Sequence, residues 1–264
     1  MTGPPASGTR ILVGASSFVD ARAALHLLSR LIDKWHPSIG GIFVDDTASL
    51  AICALPNQRI VMPSGTVALA PTLSQIRTLI EADARAFKQS LARLADDAGA
   101  PWTFERDTGD LIQTGLHMAM SWDIMVFAHR NVHPVAGKVV LLESSTSVDS
   151  PMRDMSKLLS AHLATEKVVL TVSETSHRAS ETKTSPSQNC ATLDEALGQL
   201  ARLNAQAVLV DLSRGPVHTA EKLHRLIEVA RCPVFVFGTM SAERLLEHTT
   251  QIPPAPNAGN HSGG

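Results

Sequence analysis

The chain has few cysteines for its length, with only Cys53, Cys190 and Cys232 among 264 residues. They lie far apart, and no two of them have the CxxC spacing that zinc sites and redox motifs use. Neither a disulfide framework nor a zinc site is indicated by this pattern. We expect buried or incidental thiols instead.

The sequence also lacks an excess of charge of one sign, because its formal net charge is −2 at pH 7. Nucleic acid is therefore a disfavoured partner, since a phosphate backbone requires a basic surface. Long apolar runs are missing too, and Asp45, Asp46 and Glu143 interrupt the apolar stretches well short of a membrane span. The first residues, MTGPPASGT, have neither the basic nor the apolar region of a signal peptide. We expect a cytoplasmic protein that contacts neither nucleic acid nor membrane.

What the chain does contain is short apolar runs that alternate with stretches of helical periodicity, and 44 % of its residues are apolar. This alternation predicts βαβ units, in which helices cover both faces of a parallel sheet. The clearest helix is predicted over residues 73–98, where Thr72 and Gln75 form a capping box at its start. The predicted fold class is therefore α/β, with Rossmann-like parallel-sheet units.

The pattern of strands and helices begins again after Gly137. RILVGASSFVD (10–20) lines up with KVVLLESSTSVD (138–149), and GIFV (41–44) lines up with VLTV (169–172). This internal repeat predicts two related units, 10–136 and 137–240, followed by a tail over 241–264. We expect residues 1–9, and those from about 252 onward, to be disordered because they are rich in Pro, Gly and Asn.

The two predicted units are unequally complete. Unit 1 has no terminal helix and strand, because its fourth strand, DIMVFA (123–128), leads directly into unit 2. In unit 2 a Ser/Thr-rich stretch, 173–191, stands where the long helix would be, and we interpret it as a mobile linker or a modifiable regulatory loop. The apolar connection 47–70 of unit 1 leaves three interpretations open: a lid over the crevice above the sheet, a contact with a second subunit, or a small helix on its own domain.

The order of strands and helices resembles that of the universal stress protein family in its tandem form. RCPVFVFG (231–238) is similar to the closing strand of the family, and TFERDTGDLIQTGLHMAMSWDIMVFAH (103–129) to its third strand, helix and fourth strand. The resemblance spans about residues 10 to 238 and implies the adenine nucleotide alpha hydrolase-like fold. It also implies that PVFVFG (233–238) lies at a sheet edge, where it pairs with another copy or where the two sheets of one chain pack as an intramolecular pseudo-dimer.

The ATP-binding members of that family share an Asp after the first strand, a contact residue at the end of the second strand and a glycine-rich loop after the fourth. In this chain Ser16 and Ser17 follow the first strand of unit 1, and Glu143 ends the first strand of unit 2, so the Asp is absent from both. The loop of unit 2, DLSRGPVHTAEKLHRL (211–226), retains one glycine, Gly215. The resemblance therefore implies a degenerate tandem protein without a bound cofactor.

The start of the helix in this loop argues against a bound triphosphate. Thr219 can cap the helix, and the carboxylate of Glu221 complements the helix dipole. That carboxylate would compete with a phosphate for the same helix terminus. The alternative to an empty degenerate fold is binding of ATP, AMP or another nucleotide-like ligand in unit 1.

In that alternative, the cofactor contacts are Ser16, Ser17, Val44, His129 and Arg130. His129 and Arg130 are candidates for an anion contact because they end a parallel strand, where open α/β sheets place ligands. His129 also lies four residues before His133, but both belong to a predicted loop without a third ligand nearby, so we predict no metal site.

The sequence offers no motif for covalent catalysis, since GASS (14–17) does not match the GxSxG pattern of serine hydrolases. We therefore predict a non-enzymatic regulatory or protective stress protein that acts through a protein partner or as a homodimer. The alternative function is an adenine-nucleotide stress sensor that uses unit 1, and an enzyme of the wider nucleotide-binding α/β group is a third class.

Overall fold

The computed structural model describes residues 8–47, 59–61, 65, 67–69, 71–130, 137–144, 151–173 and 187–241. Apart from residues 8 and 9, the two ends for which disorder is predicted lie outside these ranges. Within them the chain forms one nine-stranded sheet and a separate two-stranded hairpin.

The first half of the chain alternates strands and helices as predicted. Its elements are β1 (Arg10–Ala15), α1 (Phe18–Leu28), α2 (Ile32–Trp35), β2 (Ser38–Asp46), β3 (Arg59–Val61), β4 (Val67–Leu69), α3 (Leu73–Asp97), β5 (Trp102–Gly109), α4 (Leu111–Ala119) and β6 (Ile124–Phe127). The capping box at α3 is present, because Thr72 Oγ1 accepts from Gln75 N and Gln75 Oε1 accepts from Thr72 N. In the connection 47–70, the described backbone is mainly the antiparallel β3–β4 hairpin, so its role as a lid, a subunit contact or a packed helix stays a prediction.

The second half repeats the alternation and ends in a short 3-10 turn. Its elements are β7 (Lys138–Ser144), α5 (Pro151–His162), β8 (Lys167–Val172), β9 (Ser187–Cys190), α6 (Leu193–Leu200), β10 (Ala205–Asp211), α7 (Ala220–Ala230), β11 (Val234–Phe237) and the turn Thr239–Ser241.

Strand β9 corrects one prediction, because its residues belong to the stretch 173–191 that we interpreted as a polar linker or loop. β9 pairs in parallel with β8, and Cys190 is buried against the sheet. The polar sequence conceals this strand, since an edge strand can leave Gln188 and Asn189 in solvent while it buries one side chain. Residues 174–186 lie outside the described part of the chain.

The strands of the large sheet follow the order β5-β2-β1-β6-β11-β10-β7-β8-β9. All neighbours are parallel except β6 and β11, which are antiparallel. The first half contributes β5-β2-β1-β6, and the second half contributes the same order with one more strand, β11. The structure thus confirms the α/β fold class and adds that the two halves share one continuous sheet.

Strand β11 lies inside this sheet, between β6 and β10, and not at its edge. The prediction that PVFVFG (233–238) offers a free edge to another copy is therefore wrong. The open alternative, pairing between the two halves of one chain, is the arrangement found, and the halves form one sheet instead of two packed sheets. The fifth strand of the second half occupies the place beside β6 where the first half has no fifth strand of its own.

Both faces of the sheet are covered by helices because successive strand residues point to opposite sides. On β1, Ile11 and Val13 pack toward α1, α3 and α5, whereas Leu12 packs toward α4, α6 and α7. Each apolar layer continues across the junction between β6 and β11. The polar residues that carry ligand chemistry are therefore left at the ends of the strands, as in other open α/β sheets.

Candidate functional site

The site predicted in the first half lies where β1 and β6 end side by side. Their parallel register pairs Gly14 with Phe127, so the residues that follow each strand emerge together. Ser17 is the N-cap of α1, and His129 and Arg130 follow β6. The structure brings these three predicted residues into the wall of one crevice.

The crevice has a volume of about 720 Å³, within the range of small-molecule sites. Besides the three predicted residues, the first half supplies Val19 and Asp20, and the second half supplies Glu228 and Arg231. These four residues were not among the contacts predicted from the sequence. Asp20 has a local signal, because it follows Ser17 at the three-residue spacing of a helix cap, but Glu228 and Arg231 have none.

The second half reaches this crevice through the antiparallel pairing of β11 with β6. Val234 pairs with Phe127, so the beginning of β11 lies beside the end of β6. Arg231 lies three residues before Val234, and Arg130 lies three residues after Phe127. Both arginines therefore lie beyond the same end of the β6–β11 pair, and both line the crevice.

The N-terminus of α1, which borders the crevice, has two of its amides already bonded, one to a hydroxyl group and one to a carboxylate, and a second carboxylate lies in its first turn. Ser17 Oγ accepts from Asp20 N at 3.2 Å and donates to Asp20 Oδ2 at 2.6 Å, while Asp20 Oδ1 accepts from Arg130 N at 2.7 Å. Asp83 Oδ2 accepts from Phe18 N at 3.1 Å. Because helix N-termini bind anions through free amides and positive potential, these contacts reduce the capacity of α1 to hold a phosphate.

The arginine and carboxylate side chains of the crevice differ in whether they have bonding partners. Among the described residues, neither the Arg130 nor the Arg231 guanidinium has a hydrogen-bond or ion-pair partner. Glu228 Oε1 lies 3.1 Å from His224 Nε2, and Asp20 is bonded as described above. Within the described part of the crevice, both guanidiniums are therefore available to a ligand.

Two predicted contact residues do not line the crevice. Val44 is fully buried with Ile42 and Ile112, on the face of the sheet that α4 covers. Ser16 is half-buried between β1 and the Ser17 cap and is not part of the crevice wall. His133 lies outside the described residues. The roles of Ser16 and Val44 in ligand binding stay predictions.

The corresponding strand end in the second half is closed by an ion pair. Glu143, at the end of β7, is only 5 % exposed. Arg153 on α5 binds it with both nitrogens of its fork, Nε to Oε2 at 3.0 Å and Nη2 to Oε1 at 2.6 Å. Next to it, Ser144 Oγ donates to the carbonyl oxygen of Arg214 at 2.6 Å and so ties β7 to the loop after β10.

That loop, residues 211–219, folds back on its own first residue. Asp211 Oδ1 accepts from Ser213 N at 2.8 Å and from Ser213 Oγ at 2.6 Å, and the Asp211 carbonyl oxygen accepts from Gly215 N at 2.7 Å. Gly215, Pro216 and Val217 are buried. Two of the loop's amides are thus committed to Asp211, and Pro216 has none to offer.

The first turn of α7 has the cap and the carboxylate that the sequence predicts. Thr219 is its N-cap and accepts from Lys222 N at 3.2 Å, and Glu221 lies in the first turn. The carboxylate therefore lies where the negative charge of a phosphate would have to be stabilised.

No protein-family model and no curated protein matches this sequence. Solved structures do match it, among them a universal stress protein from Archaeoglobus fulgidus DSM 4304, with a TM-score of 0.50 and 12 % identity over 86 % of this chain and 95 % of that chain. The fold is universal-stress-protein-like. A functionally unknown protein from Pseudomonas aeruginosa PAO1 matches with a TM-score of 0.48 and 10 % identity, over 93 % of this chain and 98 % of that chain.

The universal-stress-protein-like fold buries both thiols that the structure describes. Burial raises the pKa of the Cys232 thiol far above its usual range. Burial, together with the nearby charge of Glu195, also raises the pKa of Cys190. Neither cysteine is therefore activated as a thiolate nucleophile. Among the helices in the described ranges, none has the length and apolar character needed to span a bilayer.

Proposed function

We propose that this chain is a universal-stress-protein-like regulatory or protective protein that acts in the cytoplasm by binding a protein partner. In this proposal it is not an enzyme and does not bind ATP in the manner of the family. The observation that supports it most directly is the loop 211–219, in which two amides are bonded to Asp211 and the apolar residues are buried.

A triphosphate needs several free donors at one place because it carries several negative charges. In the second half the loop is closed and Glu221 occupies the first turn of α7. In the first half Asp20 and Asp83 occupy the start of α1. Both strand ends therefore disfavour a triphosphate. In this proposal the protein acts through its surface, by contact with another protein.

The absence of family-type ATP binding is tested by thermal unfolding with millimolar ATP and Mg²⁺. A ligand present at about a hundred times its Kd stabilises a fold by about 2.7 kcal/mol, a shift that is readily measured. We expect no saturable shift in the melting temperature with ATP. A saturable ATP-dependent rise would contradict the proposal.

The partner is tested by native mass spectrometry of the purified full chain, which reports subunit count and co-purified molecules together. We expect either a homodimer or a complex with another protein. A homodimer must use a surface other than β11, because both edges of that strand are already paired. A monomer without any associated protein at micromolar concentration would count against the proposal.

A second candidate function is an adenine-nucleotide sensor that uses the crevice of the first half. The crevice favours it because its volume suits a nucleotide and two guanidiniums in its wall are available. The carboxylates in the wall favour AMP over ATP, because they repel the single phosphate of AMP less than the triphosphate of ATP. A melting-temperature rise with AMP, and not with adenosine, would support this candidate, and the absence of a rise with ATP, AMP and cyclic AMP alike would remove it.

A further inference from the structure

We propose that the crevice between the two halves is a phosphomonoester site, in which Arg130 and Arg231 together hold one phosphate group. The inference deepens the second candidate function, since it too requires a ligand in this crevice, but it does not require an adenine base. Neither half contains the site alone, because Arg130 follows β6 and Arg231 precedes β11.

Arg130 and Arg231 lie beyond the same end of the β6–β11 pair, and both line the crevice. Two like charges in the wall of one crevice repel each other. An anion between them turns that repulsion into two attractions, and a guanidinium fork matches the oxygens of a phosphate.

The backbone of Arg231 ends α7 in the left-handed conformation, with φ of 49°. This position favours glycine, because a side chain is strained there. The positive charge of arginine is favourable at a helix C-terminus, but it offsets only part of the cost of the left-handed conformation, which glycine avoids, so the fold alone does not fully explain its presence. A ligand contact made by its side chain does explain it.

The charges of the wall define the class of ligand. The two arginines of the wall supply two positive charges, which match one dianionic phosphate group. The carboxylates of Asp20 and Glu228 would repel the additional negative charge of a triphosphate. The volume of about 720 Å³ exceeds what one phosphate fills and leaves room for an organic group. The carboxylate of Glu228 can accept a hydrogen bond from a hydroxyl group, which suits a sugar phosphate or a nucleoside monophosphate.

The experiment measures the affinities of inorganic phosphate, ribose 5-phosphate, AMP and ATP for the full-length chain by calorimetry, together with the melting temperature. We expect Arg231→Gly to raise the melting temperature by roughly 2 °C, because it relieves the left-handed strain. The same variant is expected to weaken ribose 5-phosphate binding by about tenfold or more, because one charged fork is lost. A role in the fold alone would not produce these opposite effects.

Two controls separate backbone strain from charge. Ala164→Gly relieves another left-handed position, with φ of 48°, and should raise the melting temperature without changing affinity. Arg202→Ala removes an exposed arginine that does not line the crevice and should change neither quantity much. Arg130→Ala should weaken binding as Arg231→Gly does, and Arg231→Lys, which keeps the charge but loses the fork, should weaken it by less.

The outcomes distinguish this inference from the nucleotide sensor. Binding of ribose 5-phosphate and AMP with similar affinity, lost in both arginine variants, supports the composite site and removes the preference for adenine. AMP binding that Arg231→Gly leaves intact overturns the composite site and leaves the sensor standing. If no phosphate compound binds, both are wrong, and partner binding is unaffected.

Discussion

The two halves of the sheet have the same strand order but different chemistry at their strand ends. At the strand ends of the first half there is an open crevice, whose wall also includes Glu228 and Arg231 from the second half. In the second half, the Glu143–Arg153 pair and the turn at Asp211 close the corresponding place. The strand order is thus repeated in the second half, but the polar residues at the strand ends are not. Packing depends on the apolar strand residues, whereas ligand binding depends on the few polar residues that follow them.

The halves also differ in how they use an arginine fork within the fold. In the second half Arg153 neutralises a carboxylate that is almost fully buried. In the first half Arg106 bridges Asp45, at 2.9 Å, and Glu81, at 2.5 Å, on the exposed side of β5. Because solvent screens the second arrangement much more, we expect the two networks to differ strongly in their contribution to stability.

The largest effect is expected from Arg153→Met, which removes the counterion of buried Glu143. The variant should lose about 3 kcal/mol of unfolding free energy, because a buried carboxylate is left without its partner. Urea denaturation measures the loss. The double variant Glu143→Leu/Arg153→Met should recover most of it, since an apolar pair of similar volume needs no compensation. A loss below about 0.5 kcal/mol in the single variant would show that the pair behaves as a solvent-exposed ion pair and does not close the strand end of the second half.

The closed turn of the second half is tested by a matched pair of glycine substitutions. A Cβ at Gly215 would collide with the carbonyl oxygen of Asp211, whereas a Cβ at Gly198 meets nothing within 4 Å. We expect Gly215→Ala to cost about 2 kcal/mol through this collision. Gly198→Ala, within helix α6, should gain about 0.5 to 1 kcal/mol because alanine favours the helix. Equal effects in urea denaturation would mean that the loop 211–219 is not closed as described.

The alternation of strands and helices was predictable from the sequence because it depends on local periodicity, and the Thr72–Gln75 capping box was predictable for the same reason. The pairing of β6 with β11 was not predictable from these patterns, since it joins segments about a hundred residues apart and no local motif marks it. The place of Arg231 in the crevice depends on that pairing, so only the structure revealed it. Strand β9 was missed because Cys190 is buried while Gln188 and Asn189 are exposed, which gives no clear alternation in the sequence.

In the first half, Asp20→Asn tests whether the carboxylate at the start of α1 weakens anion binding. The amide can still accept one of the hydrogen bonds from Arg130 N and Ser17 Oγ, so stability should fall by only about 1 kcal/mol. Removal of the negative charge should tighten ribose 5-phosphate binding about fivefold, or about 1 kcal/mol, measured by calorimetry. Asp123→Asn removes a carboxylate that pairs with Arg10 outside the crevice and should leave affinity unchanged. Weaker binding in Asp20→Asn would show instead that the carboxylate contacts the ligand.

The smallest effect is expected from Arg106→Met, in the exposed network of the first half. The hydrogen bond and the charge of Arg106 hold the pKa of Glu81 below its ordinary value near 4.5. A carboxyl whose pKa is lowered on folding contributes stability above that ordinary value, and the contribution disappears as the pH falls through the lowered one. The melting temperatures of wild type and variant should therefore differ slightly near neutral pH and converge as the pH falls through the lowered pKa of Glu81. Lys157→Met, which breaks the separate exposed pair with Asp154, is the control for loss of one surface cation. If Arg106→Met lost as much stability as Arg153→Met, the expected difference between the two halves would be wrong. A solvent-screened surface network would then contribute as much as a buried ion pair.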